Sequence, residues 1–527
     1  LVSAAAGSGK TRVLVERAVG LLIDPDHPIE ADSLLMMTFT NAAAAKLRAD
    51  ITERLAEEVR ADPGNSRLRR QQMRLQRASI GTVDAFCLHF VQQHFTALEI
   101  PPDFETADEA TLGRIRQDTL ATVLEQAYAN PDFRAFADLY DRGRTDSTAG
   151  NVVLELYEFT RALPHPNRAL REFATQWQAD LPPAQTLWGR TLLCGAVDRV
   201  RGILRLLEAA LQAAAQDELA DRAFTGVLLD DQSRLERLAK VLESADWDGA
   251  IAALDEEGGW KRPGRINGGR SANPAASAAA ELRDRAKKQT EQLRKDWLLC
   301  TAAEFAADRR RAAPLVEALV QTVQLFADAY FQAKLAEKVL DYADYEHLTL
   351  DLLQTQDGAR TPLCKTVSRQ YAAVLVDEYQ DTNALQDAIY FSLAAPDASN
   401  LFFVGDIKQS IYRFRQADPS VFAAKQAAWR PYPDPQQIPF KEPATISLDA
   451  NFRSAPAVIE GINDIFETIF SESLGGIAYG KGQRLVVGKP SDYRGLCEID
   501  VLENADAASD AAVIAARIRE MQAEGYP

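Results

Sequence analysis

The sequence predicts an α/β protein in which a parallel sheet carries a phosphate-binding loop and a large helical insertion divides the sheet-forming residues. Three observations support this fold class. The glycine-rich run AAAGSGKT occupies residues 4–11. Short apolar runs at residues 34–40, 373–376 and 401–404 each lead into polar residues, as in buried parallel strands with ligands at their carboxyl ends. The stretch 101–335 is rich in Ala, Leu, Glu and Arg at helical spacing.

These patterns divide the chain into four segments. Residues 1–100 and 336–440 are predicted to form the two parts of a first α/β domain, and residues 101–335 the inserted helical domain. Residues 441–527 are predicted to begin a second α/β domain, starting with a strand at 446–448. A later strand is predicted at residues 497–501, where apolar and polar residues alternate. The chain begins at Leu1, directly before the phosphate-binding loop, so we expect it to be a fragment.

Composition narrows the classes of function. The chain has 527 residues and a net charge of −17, which disfavours general nucleic-acid binding and leaves room only for a local basic groove. No apolar run reaches the length of a membrane span. The five cysteines lack C-x-x-C spacing, which argues against zinc and a disulfide framework and predicts a reducing cytoplasm. They are Cys87, Cys194, Cys300, Cys364 and Cys497.

The glycine-rich run predicts a phosphate site at a helix N-terminus, where backbone N–H groups wrap the phosphates. Lys10 would reach the outer phosphates, and the Thr11 hydroxyl would ligate Mg²⁺. A mere helix start is the alternative. The residues of this loop are Ala4, Ala5, Ala6, Gly7, Ser8, Gly9, Lys10 and Thr11.

The run VLVDEYQD at residues 374–381 places a carboxylate pair at the end of an apolar strand. Asp377 would bind Mg²⁺ and Glu378 would orient water, although in isolation the pair could be a solvated turn. Together with the phosphate loop, the pair predicts hydrolysis of a nucleoside triphosphate.

A second strand is followed by GDIKQSIYRFR at residues 405–415. Gln409 offers an amide that can sense a terminal phosphate. Tyr412 and Phe414 alternate with arginines such as Arg415, as a platform for single-stranded nucleic acid requires. The alternative is a core Phe414 with solvated arginines. Further along, Arg453 could reach across a cleft and stabilise charge on a transferring phosphoryl group.

Polar residues also follow the strands near residues 38 and 82. Thr38 and Thr82 can bond phosphates and Phe39 can stack on a base, although core packing is the better interpretation of Phe39 in isolation. The arginines at helical spacing in 67–77 are either a solvated face or a DNA contact.

Taken in order, these motifs resemble those of superfamily 1 helicases of the UvrD/Rep type. The runs SAAAGSGKT, TFTNAAA, VGDIKQSIYRFR and DYADYE are similar to those of the AddA chains of bacterial AddAB helicase–nucleases. A RecB-like or plain UvrD-like helicase is the sibling interpretation, and an ATP-switched DNA-binding scaffold is the alternative from another class.

The resemblance implies RecA-like domains, ATP and Mg²⁺ as cofactors, and 3′→5′ movement on DNA. It implies that Arg12 lies near the nucleotide and that Gln409 and Arg453 contact the γ-phosphate. Phe452 would stack on adenine. The implied single-stranded DNA track comprises Thr38, Phe39, Thr82, Tyr412, Phe414 and Arg415. The implied partners are duplex DNA ends and an AddB-like protein, with a nuclease domain outside this chain and no membrane.

The chain departs from the family pattern at Asp84, where many relatives carry a histidine that faces DNA. An acid there would repel phosphate unless it is paired, so the resemblance leaves this contact open.

Overall fold

The computed structural model describes residues 1–140, 147–255, 260–266, 273–432, 442–470, 479–480, 482–489, 502 and 506–525. Its centre is a seven-stranded sheet in the order β3-β2-β6-β7-β1-β9-β8, in which every pairing is parallel. The strands in chain order are β1 (Val2–Ala4), β2 (Leu34–Thr38), β3 (Ser79–Thr82), β4 (Glu105–Thr106), β5 (Val339–Leu340), β6 (Ala373–Val376), β7 (Leu401–Gly405), β8 (Arg430–Pro431), β9 (Ala444–Leu448), β10 (Ala450–Asn451) and β11 (Val486–Val487).

The central strands are apolar because helices cover both faces of the sheet. Successive side chains of β2 alternate between two cores: Leu35 and Met37 pack into one, and Leu34 and Met36 into the other. The same alternation runs through β6. Because period-two residues point to opposite faces, a strand buried on both sides reads as a continuous apolar run.

Eight helices of the described chain belong to the sheet region by sequence: α1 (Lys10–Ile23), α2 (Asn41–Ala61), α3 (Ser66–Arg74), α4 (Val83–His94), α14 (Tyr342–Leu353), α15 (Pro362–Val367), α16 (Ala384–Leu393) and α17 (Pro419–Ala428). The inserted helices between them are α5 (Glu109–Ala127), α6 (Pro131–Tyr140), α7 (Ser147–Arg161), α8 (Pro166–Gln178), α9 (Leu187–Ala214), α10 (Glu218–Glu243), α11 (Trp247–Asp255), α12 (Pro274–Asp296) and α13 (Ala302–Ala336). In the described part of the chain, no helix is both long and apolar enough to cross a bilayer.

The predicted helical insertion is present. It has two apolar cores, one among α5–α8 and α13 and the other among α9–α12. Strands β4 and β5 pair side by side at its two ends, so the chain leaves and re-enters the sheet region at nearly the same place. An insertion closed in this way can be added without disturbing the order of the sheet strands.

The structure differs from the sequence analysis at residues 446–448. These residues were expected to begin a second α/β unit, but they lie in β9, which pairs with β1 in the first sheet. Hydrophobic pattern predicts a strand but carries no information about its neighbour, which explains the difference. Beyond β9 lie β10 and β11, which pair with each other, and the helices α18 (Pro456–Ile469) and α19 (Ala507–Ala523). The strand predicted at 497–501 falls outside the described residues.

Candidate nucleotide and nucleic-acid sites

The phosphate-binding loop connects β1 to α1 and leaves the start of that helix free for an anion. Gly7 and Gly9 have φ values of 71° and 94°, in the left-handed region that glycine adopts without strain. Gly9 precedes the helix, no side chain caps its N-terminus, and its first turn contains no acid. The unpaired N–H groups and the positive end of the helix dipole therefore suit phosphate. Arg12 lies on the exposed side of the first turn.

Three predicted site residues meet at Lys10. The Lys10 Nζ donates to Glu378 Oε2 at 2.7 Å and to Gln409 Oε1 at 3.0 Å. Asp377 directly follows β6, and its N–H donates to the Met37 carbonyl at 2.9 Å. Glu378 follows in the left-handed conformation with φ 50°, which is unfavourable for a non-glycine residue, and its side chain reaches the phosphate loop through Lys10.

Two buried polar residues hold this cluster, and sequence reasoning missed both. Gln380 donates to Glu378 Oε2 at 2.9 Å and accepts from the Asp406 N–H at 2.9 Å. Asp406 accepts from Gln409 Nε2 at 2.8 Å. Both lay within the motif strings, and their position shortly after buried strands was the available signal. They join the loop after β6 to the loop after β7 through side-chain hydrogen bonds.

The site is short of positive charge on its carboxylate side. Burial, and then the negative charge of Glu378, raise the pKa of Asp377 to about 6. The pKa of Asp381 is likewise raised to about 6, first by burial. Within the described residues, no group of three or more His, Cys, Asp or Glu side chains forms a metal site. One carboxylate and one hydroxyl fit Mg²⁺, which typically takes few protein ligands and completes its shell with water and phosphate oxygens.

The segment that carries Arg453 is anchored directly to the phosphate loop. The Phe452 N–H donates to the Gly7 carbonyl at 3.0 Å. The buried Asn451 side chain accepts from the Arg453 N–H at 2.8 Å and lies so close that a Cβ at Gly7 would stand 2.7 Å from its Oδ1. The Arg453 and Phe452 side chains are exposed. Close approach to Asn451 is therefore a second reason for glycine at position 7.

The predicted aromatic platform exists as a group of contacting side chains. The rings of Phe39 and Tyr412 lie 4.5 Å apart, and those of Tyr412 and Phe414 lie 5.8 Å apart. The Arg415 guanidinium stands 5.5 Å from the centre of the Phe39 ring. Phe414 is 80% exposed, so the alternative interpretation of it as a core residue was wrong.

Thr38 and Thr82 end the adjacent strands β2 and β3, where they are paired in register. Their hydroxyls make local bonds: Thr38 donates to the Thr40 carbonyl at 3.0 Å, and Thr82 accepts from the Ala85 N–H at 3.2 Å. Both line a cavity of about 340 Å³ that runs from Asp377 and Glu378 to Phe414 and Arg415. The structure therefore brings these two threonines to the same edge as the carboxylates.

Asp84 faces the same cavity. Burial raises the pKa of its carboxyl, and the charge of Arg415 opposes that shift. The departure from the family pattern thus has a neighbouring cation.

Three of the arginines in residues 67–77 make contacts within the protein. Arg67 donates to the Ile29 carbonyl at 3.4 Å, Arg69 donates to the Pro63 carbonyl, and Arg74 pairs with Glu30. These contacts support a structural role for these three side chains.

A parallel sheet with a phosphate loop at one strand end and a carboxylate pair at the end of another strand defines a nucleotide-binding α/β protein of the phosphate-loop class. Residues 1–429 match the UvrD/REP helicase N-terminal domain. The chain belongs to the UvrD/REP helicase family.

Curated relatives place the chain more closely, and those compared here are all named as the AddA-type chain of an ATP-dependent helicase/nuclease. The chain is 36% identical over 502 residues to the protein of Moorella thermoacetica, a match that covers 92% of this chain and 35% of the relative. It is 34% identical over 510 residues to the Geobacillus thermodenitrificans protein, covering 94% and 40%. The match to the Pelotomaculum thermopropionicum protein is 34% over 530 residues, covering 97% and 41%. The chain therefore spans well under half the length of these relatives.

Proposed function

We propose that this chain is the ATP-driven motor of a DNA helicase, in a protein that acts as the AddA-like component of a helicase–nuclease in double-strand-break repair. One observation carries the proposal. The single loop after β7 places Gln409 against Lys10 and, three residues later, begins the exposed aromatic platform with Tyr412. A change at the phosphate site is thereby connected by a few peptide bonds to a surface suited to stacked bases.

The residues of the cradle would act by exchanging partners. When ATP binds, its phosphates would take Lys10 from Glu378 and Gln409, which would free the Glu378 carboxylate to orient the attacking water and Gln409 to contact the γ-phosphate. Thr11 and Asp377 would hold Mg²⁺, which supplies positive charge to the phosphates. Arg453 would approach the γ-phosphate from the segment anchored at Gly7.

The remaining nucleotide and DNA contacts are also proposals. Phe452 would stack on adenine, and Arg12 would lie near the nucleotide. Single-stranded DNA would follow the edge formed by Thr38, Thr82 and the aromatic platform. The rings there would hold bases by stacking, which tolerates any sequence.

The wider setting is proposed from the relatives' names. An AddB-like partner, duplex DNA ends as substrate, 3′→5′ movement, a cytoplasmic location and a nuclease domain outside this chain belong to it. Within the chain, residues 1–100 with 336–440 would form the first RecA-like domain, extended by β9 to residue 448. Residues 101–335 would be its insertion, and the second RecA-like domain would begin after β9. A RecB-like or plain UvrD-type helicase is the alternative, and an ATP-switched DNA-binding scaffold is the non-enzymatic one.

The deciding experiment measures ATP hydrolysis by the full-length protein with and without oligo-dT. We expect stimulation by DNA, and we expect Phe414→Ala to raise the DNA concentration needed for half-stimulation about tenfold, since loss of one base stack costs about 1–3 kcal/mol. Leu187→Ala is the control, because Leu187 is 62% exposed on α9, outside the proposed track. Hydrolysis that DNA does not stimulate would favour the scaffold and reject the motor.

A further inference from the structure

The carboxyl end of α7 is bound to the sheet region by helix-terminal carbonyls. The Arg161 carbonyl accepts from His347 Nε2 of α14 at 2.9 Å, and the Ala162 carbonyl accepts from the Leu385 N–H of α16 at 3.0 Å. Burial lowers the pKa of His347 to about 3, so its ring is neutral and Nε2 carries the donated proton. Carbonyls at a helix end lack partners inside the helix, and here two of them are satisfied by other segments.

Buried charges reinforce the same junction. Arg161 Nη2 donates to Asp344 Oδ1 at 2.9 Å. Lys334 Nζ, on the fully buried side chain of α13, lies 2.6 Å from carboxylate oxygens of both Asp341 and Asp344. Helices α7, α13 and α14 are therefore joined by ion pairs as well as by carbonyl bonds, which makes this end of the insertion a fixed support.

One further bond connects this support to the aromatic platform. The Gln416 side chain donates from Nε2 to the Glu158 carbonyl of α7 at 2.7 Å. Gln416 directly follows Arg415 and has a φ of 62°, so it reverses the chain at the end of the platform. Its own N–H donates to the Arg413 carbonyl at 2.9 Å.

The platform has few other means of being held. The turn Arg413–Arg415 contains no buried side chain. Exposed side chains do not fix a loop by packing, so hydrogen bonds to a rigid neighbour must do more of that work. The bond from Gln416 to α7 joins the platform to the ion-paired support.

We propose that Gln416 is a positioning residue that fixes residues 412–415 against the carboxyl end of α7, so that the helical insertion sets where the aromatic platform meets single-stranded DNA. This inference rests on the proposed DNA-motor function, and it adds a role that the nucleotide and DNA contacts do not contain. Without the Gln416 bond, the platform would sample several positions, and DNA would bind only the fraction that is correctly placed.

Two substitutions test the role of the amide. Gln416→Gly removes the donor while suiting the left-handed backbone. Gln416→Glu keeps the size of the side chain and directs a carboxylate oxygen at the Glu158 carbonyl. DNA-stimulated ATP hydrolysis of the full-length protein is measured against oligo-dT concentration. We expect the KM for DNA to rise roughly fivefold in the glycine variant, the factor expected for one lost neutral hydrogen bond, and further in the glutamate variant. The kcat at saturating DNA should stay within about twofold, because bound DNA holds the platform in place.

The controls separate this role from a structural one and from a charge effect. Gln126→Glu makes the same charge change at an exposed site on α5 and should leave the KM for DNA unchanged. A lower Tm with an unchanged KM in either Gln416 variant would assign Gln416 to stability alone and overturn the proposal. A wild-type KM in Gln416→Glu would also overturn it. If wild-type hydrolysis is not stimulated by DNA at all, it is the motor function itself that fails.

Discussion

Replacing Glu378 by glutamine separates two effects of its carboxylate. In the structure Glu378 Oε2 lies 2.7 Å from Lys10 Nζ, and the two side chains are 34% and 12% exposed. An ion pair of this exposure contributes about 1 kcal/mol. Because ATP must take Lys10 away from Glu378, removing that charge should tighten ATP binding about fivefold. The same substitution removes the base that orients water, so hydrolysis should fall by about 10²–10⁴-fold.

Both quantities can be measured on one preparation. Equilibrium titration with a fluorescent ATP analogue and Mg²⁺ gives the Kd, and single-turnover hydrolysis gives the rate of the chemical step. Glu109→Gln on α5, in the insertion, controls for the change in net charge. ATP binding that weakens tenfold in Glu378→Gln would refute the competition for Lys10. Hydrolysis at a near wild-type rate would refute the catalytic assignment.

Three further predictions concern the phosphate loop and two buried charges. Gly7→Ala should weaken ATP binding at least tenfold, because φ 71° costs an alanine about 1–2 kcal/mol and its Cβ would stand 2.7 Å from Asn451 Oδ1; an unchanged Kd would contradict the close approach. Lys334→Met should lower the free energy of unfolding by about 3–5 kcal/mol, since it leaves two buried aspartates short of a cation; a loss below about 1 kcal/mol in denaturant titration would contradict this. The pKa of Glu346 is raised from 4.5 to about 8, mainly by burial, so the folded state keeps a proton that the unfolded state releases, and wild-type stability should fall as pH rises from about 4.5 to about 8. Glu346→Gln should lack this slope and gain stability relative to wild type toward pH 8, and equal slopes in urea titrations across that window would contradict the assignment.

The sequence predicted the parts of the fold that have a strong local pattern. Strand β6 was predicted with its observed bounds because it is buried on both faces, and the long inserted helices were expected from their period. The neighbour of β9 was not predictable, because its half-exposed residues give no indication of which sheet they join.

The site was predictable to the extent that its residues lie in ordered motifs. Lys10, Glu378 and Gln409 were expected to act together, and the structure places them in contact. Gln380 and Asp406 were missed because a buried polar side chain has no periodic signal, and its partner is known only once the strands are aligned. Their bonds depend on β6 and β7 being neighbours, which is a tertiary property.

The pairing of β9 with β1 has a mechanical consequence. Two parallel neighbours end side by side, so the residues after β9 leave the sheet next to the phosphate loop, where the Phe452 N–H is bonded to the Gly7 carbonyl. Any rotation of those later residues would have its pivot at the triphosphate itself. Displacements would be smallest where Arg453 must meet the phosphate with precision, and they would grow with distance from it. A small local adjustment around one phosphate would thus become a longer stroke at the far side of the molecule.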